Sequence, residues 1–450
     1  MINRKIYSYL EDFFALTNRA LLLTGARQTG KTFSIREFCR RKFKSFVEIN
    51  FVEMPDARDI FAQTYSSKDI LARLSLFTQV DLIKNETIIF FDEVQECPEI
   101  VTAIKFLVDE GSYRYVLSGS LLGVELNDLR SVPVGYMGVK ELFPLDFEEF
   151  LLAYGVSQEV LDLLQNAWTN RRPVDTVIHK KIMELFRLYL ILGGMPAVVN
   201  EYISNNNLRS VMMIQADIIN LYKQDIAKYD HKHKLLLEEI LNLIPPELNA
   251  KNKRFILKNL NEKSRFANYE NSFLWLKNAG VALPVYNVDE PKAPLLLSRS
   301  RNLFKLFMND VGLLASQYAN GLQMRLLKGD EMINYGAIYE NFVAQELRAH
   351  GFSLYYFNSK RQGEIDFVIE HDGTALPIEV KSGKDYKRHH ALSNVLNTDD
   401  YGIKNAFVLC NDNISATDGI MYAPIYMTMF IKNDMLTTNT KYIIDISTLP

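Results

Sequence analysis

Two α/β regions on either side of a helical middle form the architecture that the sequence predicts, and three observations predict it. Short apolar runs alternate with helix-like segments up to about residue 150. From about Phe147 to Leu260 the apolar spacing turns to 3.6 residues. After about Asn334 the alternation of strand-like and helix-like runs resumes. A chain of 450 residues is also too long for one core, since domains run roughly 100–200 residues, so about three parts are expected. We place them at 1–150, 151–325 and 326–450.

Composition narrows the class without naming a function. Hydrophobic residues make up 48% and charged residues 23%, a globular balance that argues against disorder. With 51 Lys+Arg against 54 Asp+Glu, the net charge of −3 gives no global attraction to nucleic acid or membrane. Any such contact must come from a local patch. Cys39, Cys97 and Cys410 lie far apart without CxxC spacing, which excludes a disulfide framework and a zinc ribbon. The N-terminal apolar run is broken by Glu11 and Asp12, unlike a secretion signal, and no stretch offers about 18 uninterrupted apolar residues. A soluble cytoplasmic protein without a membrane partner is expected.

In the first region, strands are expected at Ala20 to Gly25, Phe46 to Phe51, Thr87 to Glu93 and Tyr113 to Ser120. Continuous apolar runs such as Ile88 to Phe91 suit a parallel sheet covered on both faces. The first run leads into Gly25-Ala26-Arg27-Gln28-Thr29-Gly30-Lys31-Thr32, which fits GxxxxGK[ST] between a strand and a helix. Gly25 and Gly30 let the backbone amides point inward around a β-phosphate, and the helix N-terminus adds partial positive charge. Lys31 would reach the β and γ oxygens, and Thr32 would ligate Mg²⁺. Asp92, carried to the carboxyl end of a buried strand, would hold Mg²⁺ through water, and Glu93 would act as general base. Ser120 is the residue chosen to sense the γ-phosphate, and Arg130 is a candidate finger acting on a neighbouring copy.

In the middle region, LDFEEFLLAYG, HKKIMELFRLYLILGG and HKHKLLLEEILNLI carry the helical spacing, with Gly155 and Gly193 placed as C-caps. Another helix, Asn268 to Gly280, precedes VALPVYNV, a polar turn and APLLLS. Helices followed by a hairpin predict a winged-helix-like part over about 235–298.

The third region opens with the helix YGAIYENFVAQELRAHG, followed by strands at SLYYFNS, EIDFVIE, ALPIEVKS, NAFVLCND and YIIDIS. Asp372-Gly373 between alternating runs predicts a two-residue type I′ hairpin turn. That turn sets His371 opposite Thr374, Asp366 opposite Glu379 and Glu364 opposite Lys381. Directly opposed carboxylates repel. A divalent cation between Asp366 and Glu379, with Lys381 stabilising phosphate charge, would make a phosphodiesterase site. Spacing alone leaves this open against a solvated polar face with a Glu364–Lys381 ion pair. Glu340 on the preceding helix is a third carboxylate candidate, with Glu346 as the alternative. His231, His233, His389 and His390 lack acidic or Cys partners at metal spacing and are read as surface. The run from Lys384 to His390 is a local basic patch able to meet a phosphate backbone.

With GARQTGKT, IIFFDEVQ, LSGS, PLDFEEF and YENFVAQEL…GEIDFVIE…PIEVKSG in order, nearly the whole chain resembles a large prokaryotic family. Its members are AAA-type P-loop ATPases with a C-terminal domain whose core is similar to the PD-(D/E)xK restriction-endonuclease fold. The resemblance implies ATP binding and hydrolysis through Gly25 to Thr32, Asp92 and Glu93. It also implies nuclease-like positions at Glu340, Asp366, Glu379 and Lys381. Many relatives place a Gly-Arg pair before the PLDFEEF-like segment, whereas here Tyr136 follows Gly135, so no finger is carried over from them. The expected function is an ATP- and Mg²⁺-dependent machine acting on DNA as a homo-oligomer. The alternative is a nucleotide-dependent switch whose C-terminal domain binds nucleic acid or protein without chemistry.

Overall fold

Strands buried on both faces need helices on both sides, and the N-terminal third supplies them. The computed structural model describes residues 2–62, 66–78, 80–119, 135–229, 234–250, 252–260, 269–318, 322–328 and 335–433. Ser120, Arg130, His231, His233 and the YIIDIS segment lie outside the described residues. In chain order come α1 (Ile6–Leu16), β1 (Ala20–Thr24), α2 (Lys31–Lys42), β2 (Ser45–Asn50), α3 (Ser67–Thr78), β3 (Thr87–Asp92), α4 (Glu99–Glu110), β4 (Arg114–Ser118) and β5 (Met137–Glu141). The five strands form a parallel sheet in the order β2-β3-β4-β1-β5. Every residue of β3 is buried, as its apolar run predicts. Strand β5 was not expected. It is an edge strand in which Met137 alone is buried, so MGVKE carries no apolar run to announce it.

Helices dominate next: α5 (Phe147–Tyr154), α6 (Gln158–Thr169), α7 (Thr176–Leu192), α8 (Pro196–Asn205), α9 (Leu208–Tyr229), α10 (Lys234–Asn249) and α11 (Glu270–Asn278). A capping box starts α5, with Asp146 accepting from the Glu149 amide and the Glu149 side chain accepting from the Asp146 amide. Gly155 and Gly193 stand at the C-termini of α5 and α7, as expected.

The remaining elements are β6 (Ala282–Val288), β7 (Arg299–Met308), α12 (Val311–Ser316), α13 (Leu322–Leu327), α14 (Gly336–Ala349), β8 (Tyr355–Ser359), β9 (Gly363–His371), β10 (Thr374–Val380), α15 (His390–Leu396), β11 (Ala406–Cys410), β12 (Ser415–Thr417) and β13 (Ile420–Pro424). Here two sequence expectations differ from the structure. The expected strand at APLLLS is a 3₁₀ turn in which Leu295 is buried while Leu296 and Leu297 are exposed. The strand begins instead at Arg299, whose polar RSRN start conceals it. Moreover, β6 and β7 do not stand apart as a wing. Strand β6 pairs with β8, so the hairpin extends an eight-stranded sheet ordered β12-β13-β11-β10-β9-β8-β6-β7. A hydrophobic cluster runs without interruption from the α5 region into the C-terminal strands, across the position read as a boundary at 325.

Candidate functional site

The phosphate loop follows β1 and is shaped by contacts that only particular residues allow. Gly25 has φ of 129°, and a Cβ there would lie 2.2 Å from the Leu142 carbonyl oxygen, so glycine is required. Gln28 also takes a positive φ, of 66°, and Gly30 at 89° leads into α2. The Thr29 hydroxyl donates to the Ala26 carbonyl at 2.9 Å. Lys31 folds back, its amine donating to the carbonyls of Gly25 and Ala26 at 2.9 and 2.8 Å.

Across the loop, the Thr32 hydroxyl donates to Asp92 Oδ2 at 3.0 Å, and Asn50 Nδ2 reaches the same oxygen at 3.4 Å. The other Asp92 oxygen accepts from the Ser118 hydroxyl. Burial raises the Asp92 carboxyl above its usual range, while Ser118 acts in the opposite sense. Glu93 adopts a left-handed backbone (φ 54°), and its carboxylate accepts from Gln95 Nε2 at 2.5 Å. Thus Lys31, Thr32 and Asp92 converge as the motif spacing implies, with Ser118 and Asn50 joining them. The Thr32–Asp92 pair fits a hydrated Mg²⁺ bound beside nucleotide phosphates.

The second constellation forms on the β9–β10 hairpin. Its turn has positive φ at both Asp372 (49°) and Gly373 (72°), and His371 pairs with Thr374, as the Asp-Gly pair predicts. The register continues to Phe367 opposite Ile378, which carries Asp366 toward Glu379. Against β8, the register slips between Val368 and Ile365, a bulge beside Asp366 that the sequence did not announce. Asp366 Oδ2 accepts from the Val380 amide at 2.9 Å, and Lys381 binds Glu379 at 2.6 Å. Burial, then Asp366, pushes the Glu379 carboxyl up to about 8.

Of the two helix candidates, Glu340 joins this cluster. Glu346 lies at the other end of α14, accepting from the Phe147 amide at 2.8 Å. Two lysines unforeseen in the sequence complete the group. Lys253 pairs with Glu340 Oε1, and Lys305 on β7 lies 2.8 Å from Glu364, 3.5 Å from Glu340 and 3.8 Å from Asp366. Glu364 therefore pairs with Lys305 and not with Lys381. Burial opposes the charged form of Asp366, but Lys253 and Lys305 hold its carboxyl below the usual range. Among the described residues no group of three His, Cys, Asp or Glu is disposed to hold a metal ion. The lysines explain why: ammonium groups stand among the carboxylates that a metal would need. The carboxylates as arranged here do not fit a divalent cation.

Residues 17–151 match the model of an AAA domain. The nucleotide-binding region is of the AAA type. Residues 183–324 match a domain of unknown function (DUF8612), and residues 335–427 match another (DUF4143). No curated protein matches the chain. Solved structures with some similarity include the Aeropyrum pernix ORC1 protein in complex with DNA, at 13% identity over 73% of this chain and 93% of that one, with a TM-score of 0.29. The Thermotoga maritima RuvB Holliday junction branch migration motor gives 14% identity over 62% and 89%, with a TM-score of 0.30. Overlap at this level carries no argument about architecture or activity.

The phosphate loop is held by an N-terminal arginine and tied to the helical middle. Arg4 binds the Thr29 carbonyl at 3.2 Å, the Phe143 carbonyl at 2.8 Å and Glu149 at 3.1 Å. Arg27 pairs with Asp225 on α9 at 2.9 Å. Sequence reasoning missed Arg4, Asp225, Lys253 and Lys305, because each acts on a partner far away in the chain. Asn50 carried a weak signal, as a polar residue ending a buried strand.

Burial pushes the Lys31 amine down to about 8, against the opposing pull of Glu93 and Asp92. Nucleotide phosphates would restore the charge, so binding takes up a proton at alkaline pH. Free protein loses the Lys31 charge as pH rises through about 8, whereas bound protein keeps it, so affinity falls on the alkaline side. We expect ATP binding about tenfold weaker at pH 9 than at pH 7, from a one-proton linkage to a group titrating near 8. Titration with a fluorescent ATP analogue checks this, and a flat profile between those values would refute it.

Proposed function

We propose that the chain is a Mg²⁺-dependent ATPase whose nucleotide cycle governs how the C-terminal domain engages DNA. The observation that carries this reading is the meeting of Lys31 and Thr32 with Asp92 and Ser118 at the carboxyl ends of β1, β3 and β4. When bound, Mg²⁺ would neutralise charge on the β and γ phosphate oxygens. The chain supplies the rest. Amides from Gly25 to Thr32 and the start of α2 cradle the phosphates. Lys31 exchanges two backbone carbonyls for phosphate oxygens. Glu93 accepts the proton of the attacking water, its carboxylate oriented by Gln95. In this reading Ser120 is the γ-phosphate sensor and Arg130 the candidate finger for a neighbouring copy, with a homo-oligomer as the form to test. Among the described residues no helix is long and apolar enough to cross a membrane.

The DNA reading is supported by the stretch from Lys384 to His390, where Lys384, Lys387 and Arg388 are exposed close to Lys381. The lysines within the carboxylate cluster favour binding without cleavage over nuclease chemistry. Purified protein with ATP, Mg²⁺ and linear or supercoiled DNA separates the readings. We expect DNA to accelerate ATP turnover and to remain intact. Cleavage that is lost in both Asp366→Ala and Lys381→Ala would instead establish a nuclease. Absence of both DNA retention and stimulation would remove DNA as the partner and leave protein.

A further inference from the structure

We propose that Lys305 takes the place of a divalent cation in the C-terminal carboxylate cluster, making this a metal-free module clasped to the middle region by an ammonium group of the chain itself. The inference rests on reading the cluster as nuclease-like, and it concerns how that site is filled. Lys305 interrupts the apolar run Leu303 to Met308 of β7, and its side chain is fully buried. A buried ammonium persists only where carboxylates surround it. Here they come from two other elements: Glu340 from α14, and Glu364 and Asp366 from β9. The Tyr356 ring lies 5.1 Å from the amine, a further favourable contact.

The carboxylate oxygens are already committed. Glu340 gives one oxygen to Lys253 and the other to Lys305. Asp366 gives Oδ2 to the Val380 amide and faces Lys305 with Oδ1. One Glu379 oxygen accepts from Lys381, and only its Oε2 is buried without a hydrogen-bond partner. Mg²⁺ and Ca²⁺ are held through carboxylate oxygens with water completing the shell, and here the oxygens that would face a cation face ammonium groups instead. A cation entering here would also strand the Lys305 ammonium in an apolar strand. Three lysines therefore offset the charge of three of the four carboxylates from within. Lys305 lies in the segment matched at 183–324 and its partners in that matched at 335–427, so the same ammonium ties those segments together.

The test reads metal binding, not ATP turnover, so its failure is distinct from failure of the ATPase reading. Full-length, nucleotide-free protein is titrated with Mn²⁺ and free Mn²⁺ is followed by electron paramagnetic resonance. Wild type and Asp366→Asn are expected to give the same curve. Lys305→Met, which keeps chain length but removes the charge, is expected to gain one Mn²⁺ per chain, and Asp366→Asn added to it removes that site. A wild-type site abolished by Asp366→Asn overturns the proposal, as does a folded Lys305→Met that gains no site. Should the variants fail to fold, wild type with saturating ATP decides: one Mn²⁺ per chain supports the proposal, and two overturn it.

Discussion

Replacing Lys31 with alanine is expected to lower ATP hydrolysis by about two to three orders of magnitude, the usual effect of removing one preorganised charged donor from a transition state. Lys31 is buried, and its amine lies against the carbonyls of Gly25 and Ala26. Those carbonyls belong to the loop that wraps the phosphates, so the amine needs only to rotate away from them to meet phosphate oxygens. Alanine removes that charge and leaves the strand β1 and helix α2 with their apolar contacts through Leu21, Leu23, Ile35 and Phe38. The loss should therefore appear in phosphate release without an equal loss in thermal stability, measured on the same preparation. Hydrolysis that survives the substitution would reject the phosphate-loop assignment. A parallel fall in stability would mean that the two carbonyl contacts mainly hold the loop together.

The nucleotide site was largely legible because its chemistry is local. Gly25 to Thr32 is one continuous loop, and the run Ile88 to Phe91 marks a strand that ends at Asp92. The hairpin was equally legible, since Asp372-Gly373 specifies both the turn and the register of the strands it joins. The carboxylate cluster was only half legible for a physical reason. Lys305 in LFKLFM has the look of a strand residue facing solvent, and nothing local tells that its face is covered by α14. Its carboxylate partners lie 35 to 61 residues further on. Glu340 and Glu346 could not be separated either, because every residue from Ala337 to Leu347 is buried and no polar face distinguishes them. What decides between them is the packing of α14, with Glu340 toward the lysines and Glu346 toward the start of α5.

Asp310→Ala is expected to cost about 2–6 kcal/mol of stability, from two buried backbone N–H groups left unpaired at roughly 1–3 kcal/mol each. Asp310 is fully buried. Its Oδ1 accepts from the Leu313 amide at 2.9 Å, capping α12, and its Oδ2 accepts from the Gly194 amide at 2.7 Å. The turn it holds has no slack: a Cβ at Gly193 would lie 2.0 Å from the same carboxylate, and one at Gly194 would lie 2.0 Å from the Leu145 carbonyl oxygen. Gly194 in turn accepts from the Leu145 amide at 2.7 Å, immediately before the Asp146 cap of α5. Through α5, this turn supports Glu149, which holds Arg4 against the phosphate loop. The loss should appear as a lower urea midpoint followed by circular dichroism, together with weaker ATP binding in the folded fraction. An unchanged midpoint would show that apolar packing alone holds the Gly193-Gly194 turn. A lower midpoint with unchanged ATP affinity would show that the phosphate loop keeps its shape without this support.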